Sequence, residues 1–309
     1  MNYHKILVAN TGEDTLILQD LRDCSKFKTL LLSKLTNSKE AILTYENNQL
    51  GPYDLTLGNE NIIYVTNAYD NSIMKIDIEN NKLLGFLKVG RNPTCLKSFK
   101  EKIYVANTDS NSISIIDEKT FSLIEDIAVG EKPTDIQIDE ETSKIFIANA
   151  NCYTINILDL NREKIQSIVL SKQPIKMIIE SERLFVLSYI NNGVTNCSNL
   201  SELQRGSNKI IRSIDLKGIF GNMVKIKGKD IFYLSNGEDG SIYKIILNNK
   251  VDISKIYLGG LPNTMKWDGE TRLYIANALN NHITIIDEPK NQICGNIRVG
   301  KEPNGILLL

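Results

Sequence analysis

Apolar residues in this chain come in short runs broken by turn formers, and no stretch holds the three-to-four spacing of an amphipathic helix over about ten positions. Four kinds of run follow one another in fixed order. The first starts at proline and alternates, as in Pro133-Thr134-Asp135-Ile136-Gln137-Ile138-Asp139. Proline lacks an N–H, so it is tolerated at a strand start or a sheet edge. The second is nearly all apolar, as in Lys102-Ile103-Tyr104-Val105-Ala106-Asn107, which predicts a strand covered on both faces. A third, Asn111-Ser112-Ile113-Ser114-Ile115-Ile116-Asp117, ends in aspartate. The fourth, Ser122-Leu123-Ile124-Glu125-Asp126-Ile127, mixes charge into the pattern, as an exposed edge strand does to discourage strand addition.

These pieces repeat at intervals of about forty residues, the length of a four-stranded propeller blade. The second run returns at Ile6–Asn10, Ile63–Asn67, Ile145–Asn149 and Leu273–Asn277, with weaker copies at Leu184–Ser188 and Ile231–Ser235. Asn10, Asn67, Asn107, Asn149 and Asn277 are each followed by an aspartate at the same offset: Asp20, Asp77, Asp117, Asp159 and Asp287. Gly-x-x-Pro marks Gly90/Pro93, Gly130/Pro133, Gly259/Pro262 and Gly300/Pro303, with Pro52 and Pro174 in the same register. The repeated Asn and Asp read as architecture, short side chains bonding locally to backbone at strand ends.

The prediction is an all-β chain: one seven-bladed β-propeller over residues 1–309, built of four-stranded antiparallel blades. The sequence begins with a second-type run and ends with a first-type run, Pro303–Leu309. The C-terminal strand should therefore complete the N-terminal blade and close the fold. Two blades look irregular, with added segments at 34–50 and 199–207.

With Tyr64-Val65-Thr66-Asn67 and Tyr104-Val105-Ala106-Asn107, the chain resembles the bacterial and archaeal YVTN-type β-propeller repeat family across nearly its whole length. That resemblance implies the propeller fold, with relatives that include surface-layer, exported and lactonase-like proteins.

Lys and Arg number 36 against 37 Asp and Glu, so no global field draws the protein to nucleic acid. The N-terminal segment lacks the apolar core of a secretory signal and no run is long enough for membrane insertion, so a cytoplasmic protein is expected. Five scattered cysteines without a Cys-x-x-Cys pair suit reduced thiols. The two histidines, His4 and His282, cannot build a three-histidine zinc centre. No metal and no cofactor is expected.

Alternation on the first strands places Leu55, Leu96, Ile136, Met177, Val224, Met265 and Ile306 toward neighbouring blades. Asp54, Asp135, Lys97, Lys176, Lys225 and Lys266 then lie nearer the axial channel, where they could hold a small anionic molecule or a protein partner at the channel mouth. The leading expectation is a non-catalytic binding or scaffold propeller. Its rivals are a lactonase-like or lyase-like enzyme using Asp54, Asp135 or His282 as acid or base, and a structural envelope component.

Overall fold

The computed structural model describes residues 3–35, 49–59, 61–162, 164–194 and 196–309. It is a seven-bladed β-propeller: seven four-stranded antiparallel sheets with almost no helix. The first sheet has the order β28 (Pro303–Leu308), β1 (Lys5–Asn10), β2 (Thr15–Asp20), β3 (Phe27–Leu31). Its innermost strand thus comes from the far end of the sequence, paired Val8 to Ile306 and Ile6 to Leu308.

The other six sheets follow chain order. They are β4 (Pro52–Leu57), β5 (Ile62–Asn67), β6 (Ser72–Asp77), β7 (Lys82–Lys88); β8 (Pro93–Phe99), β9 (Lys102–Asn107), β10 (Ser112–Asp117), β11 (Ser122–Ala128); and β12 (Pro133–Asp139), β13 (Lys144–Asn149), β14 (Thr154–Asp159), β15 (Lys164–Val169). Next come β16 (Gln173–Glu180), β17 (Arg183–Asn191), β18 (Asn196–Gln204), β19 (Ile210–Lys217); β20 (Asn222–Lys225), β21 (Ile231–Asn236), β22 (Ser241–Leu247), β23 (Val251–Tyr257); and β24 (Pro262–Trp267), β25 (Arg272–Asn277), β26 (His282–Asp287), β27 (Gln292–Arg298).

By packing, the chain divides into two compact units, one of Met1–Ala128, Ala276–Ile283 and Asn296–Leu309, the other of Val129–Ile275 and Thr284–Gly295. In the first unit, Leu7, Ala9 and Leu16 of the first sheet pack on Leu55, Ile63 and Val65 of the second. Tyr64, the residue between Ile63 and Val65, points the other way, against Leu96, Ile103 and Val105 of the third sheet. One strand therefore feeds two interfaces, which is why the second run of each repeat is apolar at successive positions.

The other unit is built alike. Phe146 and Ala148 meet Met177 and Val186, while Phe185 and Leu187 meet Phe232 and Leu234. Tyr233 and Ile242 pack in turn on Met265 and Leu273. Each such side chain removed from water contributes about 1.5–3 kcal/mol.

Two expectations need correction. Residues 199–207 are not an insertion, because Asn199–Gln204 lies within β18 with Leu200 and Leu203 buried. The polar letters of that strand are its inward hydrogen-bonding set: Asn199 Nδ2 donates to Ser213 and Asp215. The extra length of this sheet is instead a longer β17–β18 hairpin, paired out to Asn191 and Asn196. In β20 the register is one residue earlier than expected. Met223, not Val224, is buried and pairs with Leu234.

Of the segment 34–50, residues 36–48 lie outside the described ones. A short helix α1 (Leu32–Leu35) leads into it. Leu50 is buried beyond it, its N–H bonded to the Asp14 carboxylate at 3.0 Å. No helix among the described residues is long and apolar enough to cross a membrane.

Candidate functional site

The first strands carry a repeated irregularity. Register shifts follow Pro52, Pro93, Pro133 and Pro174, and a matching shift lies between Val8 and Asn10 opposite β28. A β-bulge at this point breaks strict alternation and re-aims the side chain that follows.

Asp54 and Asp135 occupy that position. Asp54 Oδ2 accepts the N–H of Leu96 on the next sheet at 3.1 Å, and its Oδ1 accepts the N–H of Leu55 at 2.9 Å. Asp135, wholly buried, repeats the arrangement two blades further along the chain: Oδ2 accepts the Met177 N–H at 2.8 Å, and Oδ1 takes the Lys176 ammonium at 2.8 Å. Gln137 Nε2 also donates to Asp135 at 3.1 Å. The carboxylates expected to serve as acid or base thus clip one sheet to its neighbour.

Of the predicted site residues, the structure brings Asp135 and Lys176 together. Lys97 and Lys266 are half-buried on β8 and β24. Lys225 departs from its expected place. It closes β20, with its side chain 1% exposed, and its ammonium meets the Glu180 carboxylate and the Lys229 carbonyl, the latter at 2.6 Å. The one-residue register difference explains the departure.

Glu180 also accepts the Gly228 N–H at 3.0 Å and faces Arg183 at 3.3 Å. Burial pushes its carboxyl upward, but the Lys225 bond, the Gly228 amide and the nearby cations outweigh that and hold it below the usual range.

The histidines sit at opposite ends of β28. The backbone N–H of His4 donates to the Leu309 carbonyl at 2.8 Å, whereas the Asn281 side chain, next to His282, accepts the Glu302 N–H at 3.1 Å. A strand of this length separates them by roughly 20 Å. They cannot share a proton-transfer step. Among the described residues, no group of three His, Cys, Asp or Glu side chains is placed to hold a metal ion.

One concavity was not foreseen. In the first unit a cleft of about 1030 Å³ opens between the first and second sheets. Its walls are Leu18, Phe27, Leu57 and Ile78, and its rim carries His4, Lys5, Arg22, Lys26 and Lys28 with Asp20 and Glu79. Lys28 Nζ bridges the two sheets by donating to the Ile78 and Glu79 carbonyls at 3.0 and 3.2 Å. Asp20 accepts the Arg22 and Asp23 amides, and those bonds keep its carboxyl below the ordinary value. The sequence signal was faint: basic residues spread over the β2–β3 hairpin, with nothing to say which sheet they would face.

No family model matches the sequence, and no curated protein matches it significantly. Solved structures share its fold. A proposed 6-phosphogluconolactonase from Bacteroides fragilis aligns with a TM-score of 0.77 at 12% identity, covering 100% of this chain and 98% of that one. Hydrazine synthase of Kuenenia stuttgartiensis aligns at 0.76 and 17% identity, over 84% of this chain and 90% of that one. Virginiamycin B lyase of Staphylococcus aureus gives 0.68 and 16%, over 84% and 89%. At these identities the likeness establishes the propeller architecture, and an architecture does not carry a reaction with it.

Proposed function

We propose that the protein is a non-catalytic propeller that binds a small-molecule or protein partner. The observation that supports this reading is the engagement of Asp54 and Asp135. Each holds the backbone N–H of the adjoining sheet, at 3.1 and 2.8 Å, and Asp135 is also paired with Lys176. A general base needs a free lone pair aimed at substrate. Here the carboxylates are part of the frame.

The separation of His4 from His282 favours the same reading over a histidine-dependent lyase. No disulfide links the five cysteines, which suits the reducing cytoplasm as the protein's setting.

A turnover assay tests the proposal. The purified chain is incubated with six-membered and phosphorylated sugar lactones, with and without divalent metal, and proton release is followed. Hydrolysis should match the uncatalysed rate. Saturable turnover would replace binding with the lactonase-like reading suggested by some neighbours' names.

A further inference from the structure

The cleft between the first and second sheets combines two features that packing alone does not require. Phe27 and Leu57 are large apolar side chains left 64% and 42% exposed on its walls. Around them stand four side-chain cations, Lys5, Arg22, Lys26 and Lys28, against two side-chain carboxylates, Asp20 and Glu79. The chain as a whole carries a net charge of -1, so the cleft is a local reversal of sign.

Both carboxylates are already engaged, Asp20 by the backbone amides of its own turn and Glu79 by the Asn61 side-chain amide. Lys28 braces the two sheets through carbonyl oxygens. Arg22 Nε lies 3.8 Å from Asp20 Oδ1, a long and exposed pairing, and Lys26 makes an exposed pairing to Asp23 at 3.1 Å, so these two cations and the exposed Lys5 can turn to an incoming anion at little cost.

We propose that this cleft binds a small organic anion with an apolar body. Its carboxylate, sulfonate or phosphate group would lie against Arg22 and Lys5, and its ring or alkyl portion against Phe27 and Leu57. Low-dielectric walls strengthen a charge-assisted bond at the rim, while burial of the apolar body supplies affinity without demanding close shape matching. The volume is in the upper range for drug-sized ligands. The inference rests on the binding reading above and adds the ligand's chemistry to it.

Anilinonaphthalene sulfonate, an aromatic anion that fluoresces when shielded from water, serves as probe on the full chain. Titration should give a saturable one-site rise in emission that weakens with added salt. The double variant Lys5→Glu/Arg22→Glu should bind about tenfold more weakly or worse. Phe27→Ser should weaken binding without changing charge, and Lys164→Glu, on the exposed edge strand β15, should bind as the parent does. All four positions are exposed, and a circular dichroism melt verifies that each variant is folded.

Unchanged binding in both cleft variants, or equal weakening by Lys164→Glu, would overturn the proposal. Either result leaves the turnover test of the binding reading untouched, and lactone turnover would sink that reading without moving the anion to another place.

Discussion

At the scale of single residues, the acidic side chains on the first strands act by bonding to a neighbour's backbone. Removing the Asp135 carboxylate takes the acceptor from the Met177 N–H and breaks the ion pair with Lys176. Asp135→Ala should cost about 3 kcal/mol in urea unfolding, and Asp135→Asn, which keeps an acceptor for Met177, about 1–2 kcal/mol. Equal effects would show that the charge pair, not the amide bond, matters. The Glu180–Lys225 pair gives a pH signature. Because the Glu180 carboxyl is held below its ordinary value in the folded protein, its stabilisation is complete above that ordinary value and lost as pH falls through the lowered one. Glu180→Gln should therefore be less stable by about 2 kcal/mol at neutral pH and show a shallower acid loss, read from denaturation midpoints along a pH series. The presence of these residues was legible in the sequence, but their direction was not: alternation assumes an unbroken pleat, which bulges after Pro52, Pro93, Pro133 and Pro174 break, and β20 pairs one residue out of the expected register.

At the scale of the blade element, the repeated Asn does something more specific than terminate a strand. Asn10, Asn67 and Asn149 are wholly buried and send Nδ2 to the hydroxyl that opens the third strand, Thr15, Ser72 and Thr154. Asn107 reaches both Ser112 and Ser114. Local backbone bonding was expected from short Asx side chains; Asn149 does make one such bond, to the Ile147 carbonyl at 3.3 Å, but the partner these residues share is a cross-strand hydroxyl. The repeated Asp does bond to local backbone, as Asp77 does to the amides of Glu79 and Asn80 at 3.0 Å. The glycine of Gly-x-x-Pro also has a spatial reason. A Cβ on Gly90 would come within 2.6 Å of the Asn107 side chain. Gly90→Ala should thus destabilise by about 1–3 kcal/mol through overpacking, measured by urea unfolding. A neutral outcome would mean that the loop can yield.

Across the whole molecule, the blade assembled from both ends of the sequence is the most exposed to truncation. Removing 303–309 takes β28 from beside β1 and strips the buried Ile306 and Leu308 from the first sheet. Two such side chains and a ladder amount to several kcal/mol, comparable to the net stability of a domain. The truncated chain should lose its cooperative unfolding transition or aggregate; a native-like melt would contradict the pairing. Alkali should act on the interior through tyrosine. Burial, helped by a nearby glutamate in each case, raises Tyr104 to about 12 and Tyr64 and Tyr233 further still. Neutral phenols favour the fold, so this stabilisation is full below the ordinary tyrosine value near 10 and is lost as pH climbs toward 12 and beyond. Phenolate absorbance should show the buried tyrosines ionising together with unfolding.

The number of blades, the order of strands within them and the joining of the two ends were legible in the chain alone, because each of these follows from periodic burial that any copy of the repeat displays. Tertiary structure alone decided where Asp54 and Asp135 point, that Lys225 is buried against Glu180, and that a cleft with a basic rim opens between the first two sheets. The reason is geometric. Period and polarity report which residues leave water, whereas a bulge, a one-residue register shift and the spacing of two sheets are set by contacts between segments far apart in sequence.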